Sequence, residues 1–454
     1  MIDITRKEFL AGSTSFVGAL AMPNIAGITK KSINVALIGC GERGNGALKN
    51  ILDASKIVGI DVNIVALCDW FEDQAVKTRD KFNLVEAKLY IGPTAYKDVM
   101  ADKNIDAVLL VTPIGFRPLH FKAAIEAGKH VFEEKAVAVD GPGVRMHIAA
   151  AKEAKKKHLT VVAGTQRRHY KPYQMQALAI QDGAIAPICS GIVRWNTGAR
   201  RVYMRDIMVD HLNKDYLVKN WNNFDILAGD HIVEQHVHNI DIACWFIGRH
   251  PRKAISFGMR ARALTGNQYD FFSTELDFGN DVFIHSQCRQ INGCCCGVNE
   301  WFRTENNEII SAPFSIKKNK KHIDISRYGE GLLDGNPYVN EHVDFLKSIL
   351  GIGPYWMEGE QIAMSTAAAI ISNMSAKTGQ AVLMDDILKN KTSKFYDWQL
   401  QPTAALFEEG KDIDMPEYGD DEYMVPGNAS LPLPRNPNDN DEWMPLPPRP
   451  TTKA

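Results

Sequence analysis

Several features that would define a protein class are absent from this 454-residue sequence. Lysine plus arginine number 52 against 54 aspartates and glutamates, so no net field draws the chain to nucleic acid or to an anionic membrane. The eight cysteines include no C-x-x-C pair, which removes a zinc knuckle and a thioredoxin-like redox site. No disulfide framework can be read from them, and no internal repeat is present. The only uncharged amino-terminal run, Phe9 to Met22, is too short to span a bilayer with assurance. What remains is an ordinary globular composition, 45% hydrophobic and 23% charged, in a chain long enough for two or three domains.

The first thirty residues have the layout of an export signal: Arg6 and Lys7, then the apolar run. "TRKEFL" resembles the twin-arginine signal, with Lys7 where the second arginine usually stands. A periplasmic or otherwise exported protein is expected, a cytoplasmic one being the alternative, with no integral span in the mature chain. Residues 31–165 alternate short apolar runs ("INVALIG", "VNIVALCD", "DAVLLVT", "KHVFEE", "LTVVAG") with amphipathic segments. Strands apolar throughout and separated by helices imply a parallel sheet covered on both faces, a doubly wound α/β domain. Residues 166–395 read differently. Alternating strands such as "DFFSTELDFGNDVFIHSQCRQI" indicate a second, α+β domain with a mostly antiparallel open sheet. Residues 396–454 hold ten of the 21 prolines counting from position 402, an extended tail by composition. The consecutive Cys294, Cys295 and Cys296 are expected to be buried, inert thiols.

"NVALIGCGERGNG" places Gly39, Gly41 and Gly44 in G-x-G-x-x-G spacing between a strand and a helix. Such a loop turns tightly, lets a pyrophosphate approach the backbone, and aims helix amides at the phosphates. Asp69 ends the next strand, 25 residues past Gly44, where a carboxylate accepts ribose hydroxyls and repels a 2′-phosphate. Trp70 and Phe71 supply no offsetting cation, so NAD is the expected cofactor rather than NADP. Glu42 and Arg43, inside the loop, join the candidate cofactor contacts. Further on, "AGKHVFEEKAVAVD" carries Lys135 out at the carboxyl end of a parallel strand, where open α/β sheets bind ligands. The densest polar cluster is "GDHIVEQHVHNID", residues 229–241. On one helix, Asp230, Glu234, His238 and Asp241 would share a face. That stripe suits a proton relay, with His238 as base and Glu234 orienting it. A metal site from His231, Glu234 and His238 is the competing reading, although no metal is assigned.

These ordered motifs, with "VTP" (111–113), "GTQRRH" (164–169) and "NEHVDFL…STAAAIISNMSAKTG", resemble the Gfo/Idh/MocA oxidoreductases over residues 33–390. The resemblance implies a Rossmann domain followed by a sheet domain that covers the nicotinamide. It implies a lysine, Lys135, that contacts cofactor and substrate, though Ala136 stands where the family's E-K-P motif has proline. Without that proline, a trans Lys135–Ala136 bond is expected. Arg117 stands where the family has histidine, with His120 a helical turn later, and Glu234, His238 and Asp241 fit the acid–x3–His–x2–Asp signature. The candidate sets are then Lys135, His238 and Glu234 for catalysis, and Arg117, His120, Trp195, His231 and Asp241 for substrate. For cofactor they are the glycine loop, Asp69, Thr112, Pro113, Glu134, Lys135, Gln166 and Arg167. Trp195 and "NWNNF" (220–224) could stack on a sugar, and Arg200, Arg201 and Arg205 form a basic loop. The implied activity is NAD-dependent hydride transfer at a sugar or glycoside carbon, in a self-associating protein. Alternatives are a redox-neutral glycoside hydrolase working through a transient 3-keto sugar, and a catalytically silent sugar-binding relative.

Overall fold

A computed structural model describes residues 32–198, 213–261, 266–401 and 403–408. The export-like segment, the loop with Arg200, Arg201 and Arg205, and the tail beyond 408 lie outside the described residues.

The amino-terminal sheet contains β1 (Ser32–Ile38), β2 (Asp61–Asp69), β3 (Lys88–Ile91), β4 (Ala107–Leu110), β5 (His130–Glu133) and β6 (Val161–Ala163). It is all parallel, in the order β3-β2-β1-β4-β5-β6. Its crossover helices are α1 (Glu42–Val58), α2 (Glu72–Lys81), α3 (Ala95–Ala101), α4 (Arg117–Glu126) and α5 (Gly141–Lys156). β1 and β4 are almost wholly buried, as their uninterrupted apolar sequences require. The strand order reverses between β1 and β4, and a crevice opens there at the strands' carboxyl ends.

After α6 (Lys171–Gln181), β7 (Ile188–Thr197) starts the second sheet. Among the described residues α7 (Lys214–Lys219), α8 (Asp225–Ala228), α9 (Asp230–Glu234) and α10 (Val237–Ile247) follow. Then come β8 (Lys253–Met259), β9 (Phe271–Asp277), β10 (Phe283–Gln290), β11 (Gly297–Thr304), β12 (Ile309–Ala312), β13 (Ser315–Lys318) and β14 (Lys321–His322). Helices α11 (Pro337–Leu350) and α12 (Gly359–Thr378), strand β15 (Val382–Leu383), and helices α13 (Met384–Leu388) and α14 (Ala404–Glu408) complete the described chain. The sheet order is β14-β13-β12-β11-β7-β10-β9-β8-β15, antiparallel except for the β7–β10 pair. One face packs on α10 and α12; the other exposes Phe257, Phe283 and Trp301.

Four expectations change. The sequence segment 166–395 does not stay in the second domain: Val343, Phe345 and Leu346 of α11 are buried in the core beneath α1. Met357 pairs with Val161 in a parallel bridge, extending the first sheet. Helix α11 carries the apolar stripe that the Rossmann face between α1 and β6 needs. Within the proline-rich tail, α14 forms and buries Phe407, because one large aromatic finds an apolar niche. Cys294, Cys295 and Cys296 are exposed, since they occupy the turn between β10 and β11 rather than a strand. The Lys135–Ala136 peptide bond is cis. Arg117 holds the carbonyls on both sides of it, those of Glu134 and Ala136.

Candidate active site

The glycine loop behaves as its spacing requires. Gly39 has φ +98°, and a Cβ there would lie 2.6 Å from the Val111 carbonyl oxygen. A Cβ on Gly44 would meet the Gly39 carbonyl oxygen at 1.8 Å, so helix and loop could not approach. At Gly41 a Cβ would meet nothing within 4 Å. Its backbone therefore borders open space, the cradle that a pyrophosphate needs. Asp69 leaves β2 with Oδ2 accepting the Cys40 amide at 2.6 Å and Oδ1 accepting the Phe71 amide at 2.9 Å. Burial raises its pKa while those two amides lower it.

Gly39, Gly41 and Asp69 line a cavity of about 290 Å³ with Thr112 and Pro113. Sequence reasoning missed most of its other walls, Trp70, Tyr96, Phe116, Val218 and Lys219, and Trp221, expected to stack on a sugar, lines this Asp69-end cavity instead. Aromatics beside Asp69 gave no signal by spacing, and no local pattern tells which second-domain residues fold over a Rossmann edge. An open backbone cradle, a carboxylate beside it and aromatic walls fit a dinucleotide's adenosine and pyrophosphate. His120 also lines this cavity, with Nδ1 3.1 Å from Thr112 Oγ1. It thus sits at the Asp69 end rather than beside Lys135. Burial, helped by Arg117, lowers its pKa to about 3.

The second cluster forms where β5 ends and the sheet domain meets it. Lys135 Nζ donates to the Glu234 backbone carbonyl and lies 3.4 Å from Glu234 Oε1. Burial lowers the Lys135 pKa; Glu234 and Glu134 pull the other way. His238 lies one turn beyond Glu234, its ring stacked on Trp195 at 5.6 Å between centroids. Burial, then the positive charges of Lys135, Arg167 and Arg43, hold the His238 pKa well below its ordinary value. The imidazole is therefore neutral and able to accept a proton. His231 Nε2 is 3.3 Å from the Trp195 carbonyl oxygen.

The expected single helical face does not exist. Gly229 (φ 71°) and Asp230 (φ 65°) are left-handed, and the helix is interrupted between Glu234 and Val237. His236 N reaches back five residues to the His231 carbonyl, which rotates the following turns. Asp230 consequently faces Lys377 (2.9 Å) and Asn373 (2.8 Å). Asp241 takes a bidentate pair from Arg168 at 2.7 and 2.9 Å and a hydrogen bond from Ser365, which leaves it structural rather than substrate-facing. Arg117 likewise is committed to the carbonyls of Thr112, Glu134 and Ala136. No group of three or more His, Cys, Asp or Glu able to hold a metal is present among the described residues.

The remaining candidates are joined through partners that the sequence did not single out. Glu134 pairs with Arg43, which also reaches Glu341 (3.4 Å) and lies over the Tyr338 ring at 5.1 Å. Gln166 donates to Tyr338 Oη at 3.0 Å. Arg167 pairs with buried Glu300 and lies 5.5 Å over Trp195. Glu42 is exposed at the start of α1. The "NEHVDFL" motif contained Glu341, but nothing local marked Glu300, an inward position on an alternating strand.

Fold and site together define a two-domain dinucleotide-binding protein. Residues 33–164 match the family model described as the oxidoreductase family, NAD-binding Rossmann fold. This amino-terminal domain is thus similar to the NAD-binding domain of the Gfo/Idh/MocA oxidoreductases. Over 137 residues, 28% of the chain, the sequence is 34% identical to a glycosyl hydrolase family 109 protein of Shewanella amazonensis. Over 192 residues, 42% of the chain, it is 32% identical to an inositol 2-dehydrogenase/D-chiro-inositol 3-dehydrogenase of Halalkalibacterium halodurans. The matches span 29% and 52% of those two relatives. The fold as a whole is shared with myo-inositol 2-dehydrogenase from Lactobacillus plantarum (TM-score 0.58, 20% identity, 78% of this chain and 99% of that one). It is shared too with a levoglucosan dehydrogenase in complex with NADH and levoglucosan (TM-score 0.60, 17% identity, 78% and 99%).

Proposed function

We propose that the protein is an NAD-dependent oxidoreductase that removes hydride from a hydroxyl-bearing carbon of a sugar, polyol or glycoside. The observation that carries this reading is the pairing of Lys135 with Glu234 across the domain boundary, beyond the carboxyl end of β5, with His238 close enough for the Lys135 charge to lower its pKa. NAD, when bound, supplies the hydride acceptor. An alcohol losing hydride must also lose its hydroxyl proton, and neutral His238 accepts it. The Lys135 ammonium donates to the same oxygen as it becomes a carbonyl, stabilising its developing charge. Glu234 tethers Lys135. Trp195, stacked on His238, offers an aromatic wall to the apolar face of a sugar ring.

The stretch shared with a glycosyl hydrolase family 109 protein favours a second reading, in which the oxidation is transient. The 3-keto sugar then acidifies the neighbouring C–H, the aglycone leaves by elimination, water adds, and hydride returns. A panel of glycosides separates the readings. Keto-sugar with reduced nicotinamide supports the first, and free sugar without net reduction supports the second. Neither product would leave a silent sugar-binding protein.

Export forms part of this proposal on the amino-terminal sequence alone; no helix among the described residues is long and apolar enough to cross a membrane. Cell fractionation tests it, and protein confined to the cytoplasm would refute it. The exposed Phe257, Phe283 and Trp301 on the open sheet face support self-association, which light scattering of the wild type and a Trp301→Glu variant would test.

A further inference from the structure

The cavity beside Asp69 is covered by chain that is not part of the nucleotide-binding domain. Helix α7 and Trp221 close over it from the second domain, with Val218, Lys219 and Trp221 in its wall. Trp70, on the opposite wall, donates from Nε1 to Asp215 of α7 at 2.6 Å. Helix α14, the last described helix, lies behind that cavity's wall and braces it. Phe407, 1% exposed, sits edge-on to Phe116 at 5.4 Å and to Trp70 at 6.4 Å, so it backs two of the cavity's aromatic walls. Glu408 accepts from Tyr96 Oη at 2.8 Å and Lys97 Nζ at 2.6 Å, bonds that cross more than three hundred positions of sequence. Lys214 Nζ donates to the Leu406 carbonyl at 3.3 Å and so ties the two covering pieces together. Leu217, Val218, Phe224, Leu227, Phe116 and Phe407 form a small apolar cluster of their own.

Helices of six and five residues have no stability in isolation; the contacts just described order them. Two short helices held by a few hydrogen bonds and one small apolar cluster can also open by local unfolding without disturbing the sheets. We infer that α7 and α14 form a clasp over the adenosine end of the cofactor site, so that NAD enters and leaves only when the clasp opens and otherwise stays through many turnovers. The inference rests on the reading of this cavity as the NAD site. It also gives that reading a consequence: a resident cofactor must be reoxidised in place, by a second carbonyl substrate or by return of hydride to the first.

The test is NAD exchange on the full-length protein. Protein loaded with NAD labelled in the adenine is chased with unlabelled NAD, and association is followed separately by quenching of tryptophan fluorescence. Removing a gate raises entry and exit together, whereas removing an ordinary contact raises exit alone. Phe407→Ala is expected to raise both rates by roughly tenfold or more, with Kd changing less than either rate. Phe407→Leu should keep most of the retention. If Phe407→Ala does not fold, the surface double variant Asp215→Asn/Glu408→Gln takes its place with the same expectation. Unchanged rates, or a faster exit with entry unaltered, would overturn the clasp while leaving the NAD site standing. Failure of the wild type to bind NAD at all would overturn both.

Discussion

At the Asp69 end of the cleft, free backbone and a carboxylate border a cavity of about 290 Å³. At the Lys135 end, the polar groups hold one another: Lys135 to Glu234, Arg43 to Glu134, Arg167 to Glu300. The first end is a formed receptor beneath its cover, and once the cover opens the ligand displaces few protein contacts. The second is a closed network that a substrate must enter by exchange, replacing each contact it breaks with one of its own hydroxyls. On the proposed function a polyhydroxylated substrate does that, whereas an apolar alcohol would leave buried charges without partners. On the proposed function, affinity for the cofactor and selectivity for the substrate thus reside in separate regions of the domain boundary.

Substitutions at each end should separate the two properties, beginning with the largest effect. Lys135→Met or His238→Ala should slow reduction of bound nicotinamide by about 10²- to 10⁴-fold in single-turnover measurements, with NAD affinity kept. Arg168→Met would leave Asp241 buried without its bidentate partner, and denaturant unfolding should report a loss of about 3–5 kcal/mol. Asp69→Ala, at the receptor end, should weaken NAD by roughly 10- to 100-fold in calorimetric titration while the hydride-transfer rate at saturation holds.

The pH responses are smaller and differ in origin. Burial lowers the pKa of His169, but Glu358 and Asp344 raise it more, to about 10 from an ordinary 6.5. A raised imidazole contributes stability that is fully present below pH 6.5 and lost as pH climbs through about 10. Melting temperature should therefore fall over that interval, and His169→Gln should flatten the fall. His238 titrates below 6.5 and must be neutral to work, so the acid limb of kcat/KM should lie below pH 6.5. A limb above that value would remove His238 as the base.

Legibility in the sequence followed the same division. The receptor end is local: a buried strand, three glycines and an acid on the next strand, all within residues 33–69, so spacing alone points to it. Farther along the same sheet β3 escaped notice, because "KLYI" is four residues long and exposed at both ends. At the network end, residue types were legible and partnerships were not. Regular helical spacing put Asp230, Glu234, His238 and Asp241 on one face. The left-handed turn at Gly229 and Asp230 and the break before Val237 separate them, and those conformations depend on tertiary partners such as Lys377 and Arg168. Glu300 and Glu341, more than a hundred residues from the charges they neutralise, carry no local mark. The return of α11 to the first domain was hidden for the same reason: an apolar stripe states that a face is buried, not against what.

The central claim is that a dinucleotide lies along the first sheet from Asp69 toward Lys135. Incubating the purified protein with NAD and NADP together, passing it through a desalting column, denaturing it and identifying the released nucleotide by mass tests this most directly. The account predicts NAD, stoichiometric with chain. Release of no nucleotide, or of NADP alone, would contradict it.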